Sequence, residues 1–554
     1  MRRIFATFWV VATLLAALAA AWQKPDDLLA LEGNVIADYP PSYAFLLRNL
    51  AIAEYHRAGR PAISSSIATL DQAATAAFFS NRHNDAARYF LRLLVALRGD
   101  KPGEWLEVAS SFRFQLDRRI AAPGTLVHAA LSPVFLSTTV LAQPVTVKIS
   151  ILDAGGKAVL TLPSATLERI EERDIRLVTR GLPEGAYSVR YALHDHAGKF
   201  LAGANRPLLL DAKVQARVQA LEQQADRLAA AAIAAKSPRH AAAVETVLHF
   251  ADLYRRALSQ PVASFHQNLH PLVLTLAGDW PPVDSTDPIA PDRDLAFAEA
   301  TAAALLKGGD PLATATGHLR LGYRSGVERP FEPYRLYVPP NYDAARKWPL
   351  IVALRSDTGD EGSLFDLCPP GQESQLLSLA RERGYIVVSP GGMGPYSYFS
   401  GTAADDVFRV ISLARSIVSI DDANVYVAGN AMGGMGGIIL SLDERARFNG
   451  VAAVAAAPLQ RYEYKRAPGK PLLLLQPGAS RIMSPRESRV FAFLLAKYYK
   501  QFDYDEIAGA DHFAVFASSL PRIFAFFDSV RNGTWKPSGR PIPLPEDQRR
   551  LPER

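Results

Sequence analysis

At 554 residues, 49% hydrophobic and 21% charged, the chain has ordinary globular composition but is too long for one core, so three or four units are expected at about 100–200 residues per domain. Its net charge of +6 is small for this length and falls partly at the ends, on Arg2, Arg3, Arg549, Arg550 and Arg554; no basic stripe is interleaved with aromatics, so nucleic acid is not an expected partner. A single cysteine, Cys368, excludes an intramolecular disulfide, and its setting before Pro369-Pro370 offers no base to activate a thiol.

The chain opens on Arg2-Arg3, then an apolar run from Ile4 to Trp22 that ends in Ala19-Ala20-Ala21. A charged head, apolar middle and small-residue cleavage site mark residues 1–22 as a secretory signal, which implies export to the periplasm or beyond. The rival reading is an uncleaved anchor, because the run nearly reaches the ~20 residues of a span. After cleavage no span is expected to remain. Residues 40–103 read as helical: Phe45, Leu46, Leu50 and Ala53, then Phe90, Leu91, Leu94 and Leu97, recur at helical spacing. From 105 to 211 the pattern alternates, as in Val145, Val147, Ile149, Ile151 and in Tyr187, Val189, Tyr191, Leu193, with turn signals such as Asp153-Ala154-Gly155-Gly156 between runs. That predicts a small β-sandwich. The stretch Gly181–Tyr187 resembles the last-hairpin approach of immunoglobulin-like accessory modules. His194 and His196 share a strand face but lack a third ligand, so no metal is called for. Residues 212–310 read as a helical connector, with stripes through Val214, Val218, Leu221, Ala225 and Leu228 and through Val244, Val247, Leu248 and Ala251. A proline-rich linker, Pro281 to Pro291, interrupts it before a last helix, Asp294 to Leu306.

Between 316 and 533 short continuous apolar runs alternate with helical stretches: Leu350–Leu354, Tyr385–Val388, Val425–Ala428, Val451–Val454 and Leu472–Leu475. Such runs imply a mostly parallel, doubly wound sheet covered on both faces. Residues 534–554 are rich in Pro and Arg and read as a disordered tail.

One junction carries the functional reading. Asn424–Ala428 leads into Gly429-Asn430-Ala431-Met432-Gly433, followed by Gly436 and Gly437. This resembles the Gly-x-Ser-x-Gly nucleophile elbow of the α/β-hydrolases, between strand and helix as that motif requires. Tyr334–Pro339 and Gly384–Pro390 look like the opening strand and the strand before the active-site loop in that superfamily. Asp405-Asp406-Val407 and Ile420-Asp421 are similar to the group of secreted esterases, polyhydroxybutyrate-depolymerase-like, feruloyl-esterase-like and prolyl-oligopeptidase-like enzymes. The resemblance implies a triad in the order nucleophile, acid, histidine. Here Ala431 stands at the nucleophile position and Ser480, in Gln476-Pro477-Gly478-Ala479-Ser480, where the acid is usual. His512, in Gly509-Ala510-Asp511-His512, matches the histidine. The oxyanion loop, often His-Gly-Gly, reads Arg355-Ser356-Asp357-Thr358-Gly359, with Arg355 adding a positive charge near the pocket. Backbone donors there and at Met432 do not depend on side-chain identity, so Arg355, Ser356 and Met432 mark the oxyanion pocket.

A methyl group cannot attack a carbonyl, and acyl transfer needs a hydroxyl, a base and an orienting carboxylate. Two functions follow. One is an exported binding or scaffolding pseudoenzyme holding an ester, peptide or glycan in the former cleft. The other is an active esterase or serine-type peptidase with a displaced nucleophile and His512. Ser397, Ser400, Ser480 and Ser484 are hydroxyls near the expected pocket, and none lies on an activating motif. Asp405 and Asp406 read as the start of a helix. No cofactor is implied.

Overall fold

The computed structural model describes residues 34–35, 41–57, 64–80, 82–136, 139–263, 287–325, 330–357, 359–367, 372–393, 397–457, 464–467, 469–480, 485–512 and 514–543. The secretory-signal segment, Cys368, Ser484, Thr358 and most of the proline-rich linker lie outside the described residues.

The first helices are Pro41–Arg57 and His83–Leu97, which carry the two apolar clusters of the sequence, and Ser65–Phe79 between them. Ser64 caps the second, its Oγ accepting the Ile67 amide at 3.3 Å. The β region begins later than the alternation suggested, because Glu104–Ser110 is a short helix. Its Glu107 is buried and receives Arg88 Nε and Arg92 Nη1, each at 2.8 Å, which ties it to the third helix. A buried carboxylate needs such partners, and they override the local alternation. Beyond it lie a six-stranded sheet centred on Val145–Leu152, Gly185–His194 and Phe200–Leu210, and a three-stranded sheet of Phe112–Leu116, Leu126–Pro133 and Arg173–Val178. Tyr187, Val189, Tyr191 and Leu193 are buried together, as their period of two requires. Phe114 of the smaller sheet stacks on Tyr191 of the larger at 5.3 Å, so both sheets and the N-terminal helices share one apolar cluster.

The connector is part of the C-terminal domain. Helices Val214–Glu222 and Ala225–Ala235, with α1 (Pro238–Ala257) and α2 (Pro291–Leu306), bury Val218, Leu221, Val247, Phe250 and Leu295 in the same cluster as the C-terminal sheet.

That sheet has eight strands: β1 (Gly317–Arg324), β2 (Phe331–Val338), β3 (Trp348–Leu354), β4 (Ile386–Pro390), β5 (Ile420–Asn430), β6 (Gly450–Val454), β7 (Leu472–Pro477) and β8 (Phe502–Ile507). Their order is β1-β2-β4-β3-β5-β6-β7-β8. β2 runs antiparallel to β1 and β4; the other neighbours are parallel. The apolar runs split by parity. Leu350, Val352, Val425, Val427, Val451 and Ala453 face α1, α4 (Thr402–Ile417) and α5 (Met432–Ser441). Ile351, Ala353, Tyr426, Ala428, Ala452 and Val454 face α3 (Gln375–Arg383) and α7 (Val515–Arg531). Two buried faces leave little room for polar side chains along the middle of these strands, which is why the runs there are continuously apolar. α6 (Pro485–Ala496) joins the first face through Phe491 and Leu495.

The tail expected to be disordered is packed over its first part. Trp535 sets its ring edge-on to Phe526 at 5.5 Å, Ser538 Oγ donates to Asp503 at 2.5 Å, and Ile542 rests on the core. The Trp535 ring, half-buried against Phe526, overrides a Pro- and Arg-rich local composition.

Candidate functional site

The elbow is built from backbone crowding. β5 ends at Asn430, and Ala431 turns the chain into α5 with φ +49° and ψ −110°. A non-glycine residue there is strained, of the order of 1–3 kcal/mol, and persists only where its surroundings over-determine it. The surroundings are plain. A Cβ on Gly429 would lie 2.2 Å from the Gly433 carbonyl oxygen, and one on Gly433 would lie 2.1 Å from that of Leu354 at the end of β3. The Ala431 amide donates to Val454 O at 2.9 Å, fixing the turn to the end of β6. Gly437 lets α5 lie on the sheet, its virtual Cβ 3.1 Å from Val427. Gly436 faces the Phe399 ring, its virtual Cβ 2.6 Å from it. Gly434, which the motif does not single out, is required as well, because its Cβ would meet Val454 O at 2.4 Å.

Ala431 is 6% exposed and carries only its methyl. Met432 opens α5, so its amide is among the first-turn donors that lack an intrahelical acceptor. The other two triad positions meet at backbone level. Gly478 N donates to Ile507 O at 3.0 Å and Ala479 N to Ala510 O at 2.9 Å, which sets the Ser480 loop against the His512 loop. Ser480 is buried. Asp511 Oδ1 accepts the Ala514 amide at 2.7 Å just ahead of α7, so the adjacent His512 is held in the turn that leads into the helix. Burial pushes the His512 imidazole down to about 4, with the Asp511 charge opposing. At pH 7 it is neutral.

Arg355 and Ser356 are buried at the end of β3. Neutral carbonyls fix the Arg355 guanidinium without cancelling its charge: Nε donates to Gly391 O at 2.7 Å and Nη1 to Ser356 O at 2.9 Å, with the guanidinium 5.9 Å from the Phe399 ring. It therefore ties the 355–359 loop to the loop after β4. That second loop is strained, with positive φ at Met393, Tyr398 and Phe399. Its serines make turns: the Ser397 hydroxyl accepts the Phe399 amide at 3.3 Å, and Ser400 Oγ donates to Ser397 O at 2.9 Å.

The two aspartates at the start of α4 divide their work. Asp405 is exposed in the first turn and pairs with Arg445 at 2.6 Å. Asp406 is 2% exposed; it accepts the Tyr323 hydroxyl and, at 2.7 Å, the Gly392 amide, bracing the loop after β4. Burial raises its pKa, and the Tyr323 and Gly392 hydrogen bonds oppose that. Sequence spacing gave no sign of this bracket.

A buried charged layer also escaped the sequence reading. Arg335 on β2 faces Glu361 at 3.3 Å, and Arg320 on β1 meets Asp294 of α2 at 2.7 Å. Tyr254 of α1 donates to the same Asp294 at 2.7 Å. Burial raises Glu361, but the Arg335 and Arg320 charges outweigh it and hold the group below its ordinary range. Its neighbour Asp360 is held above, by burial and then by the Glu361 charge. This layer anchors the loop leading from Arg355 to Asp366. Among the described residues no three His, Cys, Asp or Glu side chains converge as a metal site would require.

No family model matches the chain, and no curated protein matches it. Several solved structures resemble part of this chain. The fluorophosphonate-binding serine hydrolase FphF of Staphylococcus aureus is 15% identical, covering 38% of this chain and 99% of its own, with a TM-score of 0.33. A ferulic acid esterase of the fungus Anaeromyces mucronatus is 16% identical over 37% of this chain and 91% of its own, with a TM-score of 0.31. A putative dipeptidyl aminopeptidase IV from Bacteroides ovatus is 15% identical over 39% of this chain and 36% of its own, with a TM-score of 0.33. The assignment of the domain rests on its own architecture: a mostly parallel eight-stranded sheet with one reversed strand, helices on both faces, and a glycine-lined strand–turn–helix elbow at its centre. The C-terminal half of this chain has an α/β-hydrolase-like fold.

Proposed function

We propose that this chain is an exported pseudoenzyme that binds an ester, a peptide or a glycan fragment in the former substrate cleft of its hydrolase domain and does not cleave it. One observation carries the reading. The elbow keeps its strained geometry and its glycine clearances, yet the residue it presents at φ +49° is alanine. His512 is neutral at pH 7 but has no hydroxyl at 431 to deprotonate, and Ser480 supplies no carboxylate. First-turn amides at Met432 remain as donors for a ligand oxygen. The six-stranded and three-stranded sheets of the N-terminal half act, on this proposal, as an immunoglobulin-like accessory sandwich that spaces or presents the hydrolase domain. Export is supported by the Arg2-Arg3 head and the Ile4–Trp22 run.

The test offers the purified full chain short-chain nitrophenyl esters and a fluorophosphonate probe. Silence in both is expected. Turnover that disappears in His512→Ala would overturn the proposal in favour of an active esterase or serine-type peptidase with a displaced nucleophile.

A further inference from the structure

A cavity of about 550 Å³ opens at the end of the sheet opposite Ala431, below the first residues of β5, β6 and β7. Its rim carries three exposed cations, Arg447, Lys470 and Arg531, and among the described residues none of them is ion-paired to a carboxylate. Arg447 Nη1 donates to the carbonyls of Glu444 at 2.7 Å and Ala446 at 3.0 Å, and Lys470 Nζ to Asn449 Oδ1 at 3.1 Å. Those neutral acceptors hold the side chains in place without cancelling their charge. The one carboxylate of the lining, Asp422, is already bound by Arg415 at 2.7 Å. The floor is apolar and aromatic: Phe448 and Tyr499 are buried, and the Tyr499 hydroxyl meets Ser441 Oγ at 3.0 Å.

A concave site whose cations are uncompensated concentrates anions, because low-dielectric walls focus the field. Guanidinium forks match the paired oxygens of phosphate and carboxylate. Arg531 closes α7 and also complements that helix's negative end, whereas Arg447 and Lys470 lie outside the helices. We propose that this cavity binds a small polyanion, a molecule with at least two phosphate or carboxylate groups on a body that rests against Phe448 and Tyr499. The site is remote from the elbow and does not depend on whether the elbow is catalytic.

Isothermal titration of the full chain with pyrophosphate and, separately, with citrate tests it, at about 50 mM salt so that screening does not hide the interaction. One saturable site is expected. Lys470→Ala and Arg447→Ala should each weaken it by about tenfold, the usual worth of one charge-assisted contact. Lys157→Ala, on a distant hairpin turn, should leave it unchanged. Binding of pyrophosphate alone identifies a phosphate-bearing ligand, and binding of citrate alone a polycarboxylate. Both rim residues are exposed, so their substitution leaves the core intact, which a thermal melt checks. The proposal fails if neither anion saturates, or if Lys157→Ala costs as much affinity as Lys470→Ala.

Discussion

Gly433→Ala tests whether the elbow is held by backbone contact. The added methyl carbon would stand 2.1 Å from Leu354 O, 2.5 Å from Arg355 O and 2.6 Å from Leu354 C. All three are main-chain atoms at the end of β3, and β3 is paired on both sides, so the methyl has no flexible neighbour to displace. Overpacking costs about 1–3 kcal/mol, and contacts this short belong at the upper end. Alanine regains about 1 kcal/mol over glycine inside a helix. The net loss is therefore about 2 kcal/mol, which lowers the melting temperature of a domain of this size by about 3 °C. Gly437→Ala is the internal control. Its methyl would lie 3.1 and 3.2 Å from Val427 and Val451 Cγ1, side-chain atoms that can give way, so gain and cost nearly cancel. Scanning calorimetry of the full chain reads both variants, with separate domain transitions resolved. A Gly433→Ala melting point within a degree of wild type, or an equal drop in Gly437→Ala, would refute the reasoning.

Ala431→Ser alone should give little ester hydrolysis, because a triad that loses its acid falls by about 10⁴-fold; robust turnover would reveal a carboxylate acting on His512. Arg335→Met should cost about 3–5 kcal/mol by leaving the buried Glu361 without its first cation, and adding Glu361→Gln should recover most of that, as read by denaturant melts of the single and double variants. The acid limb of stability should depend on His512. Folded, it titrates at about 4, pushed down by burial; unfolded, it titrates near 6.5. The unfolded chain thus binds the proton first, so this contribution is complete above pH 6.5 and is lost as pH falls toward 4. His512→Gln should reduce the slope of the melting temperature between pH 6.5 and 4, leaving the share of His249 and His318, which burial likewise pushes down, to about 3; an unchanged slope there would remove burial of the His512 imidazole as a cause.

The architecture around the site was legible because it rests on short-range rules. Continuous apolar runs such as Leu350–Leu354 and Val425–Ala428 announce strands buried on both faces, and the observed split of their residues between two apolar clusters is that pattern realised. The glycines at 429 and 433 announced a tight strand-to-helix turn, and alanine at 431 was plain in the chain itself. Partnerships between distant residues were not legible. Asp406 looked like an ordinary helix start beside Asp405, and only the approach of Tyr323 and Gly392 makes it a buried brace. Arg355 read only as a charge near the pocket, and it is the carbonyl of the loop after β4 that makes it a tie between two loops as well. The connector stripe gave no hint that α1 presses His249 onto Gly322, where a Cβ would lie 2.2 Å from the ring. Local sequence dictates which face of an element is apolar, whereas the partner of a buried charge is chosen by whatever the folded chain brings within hydrogen-bond reach.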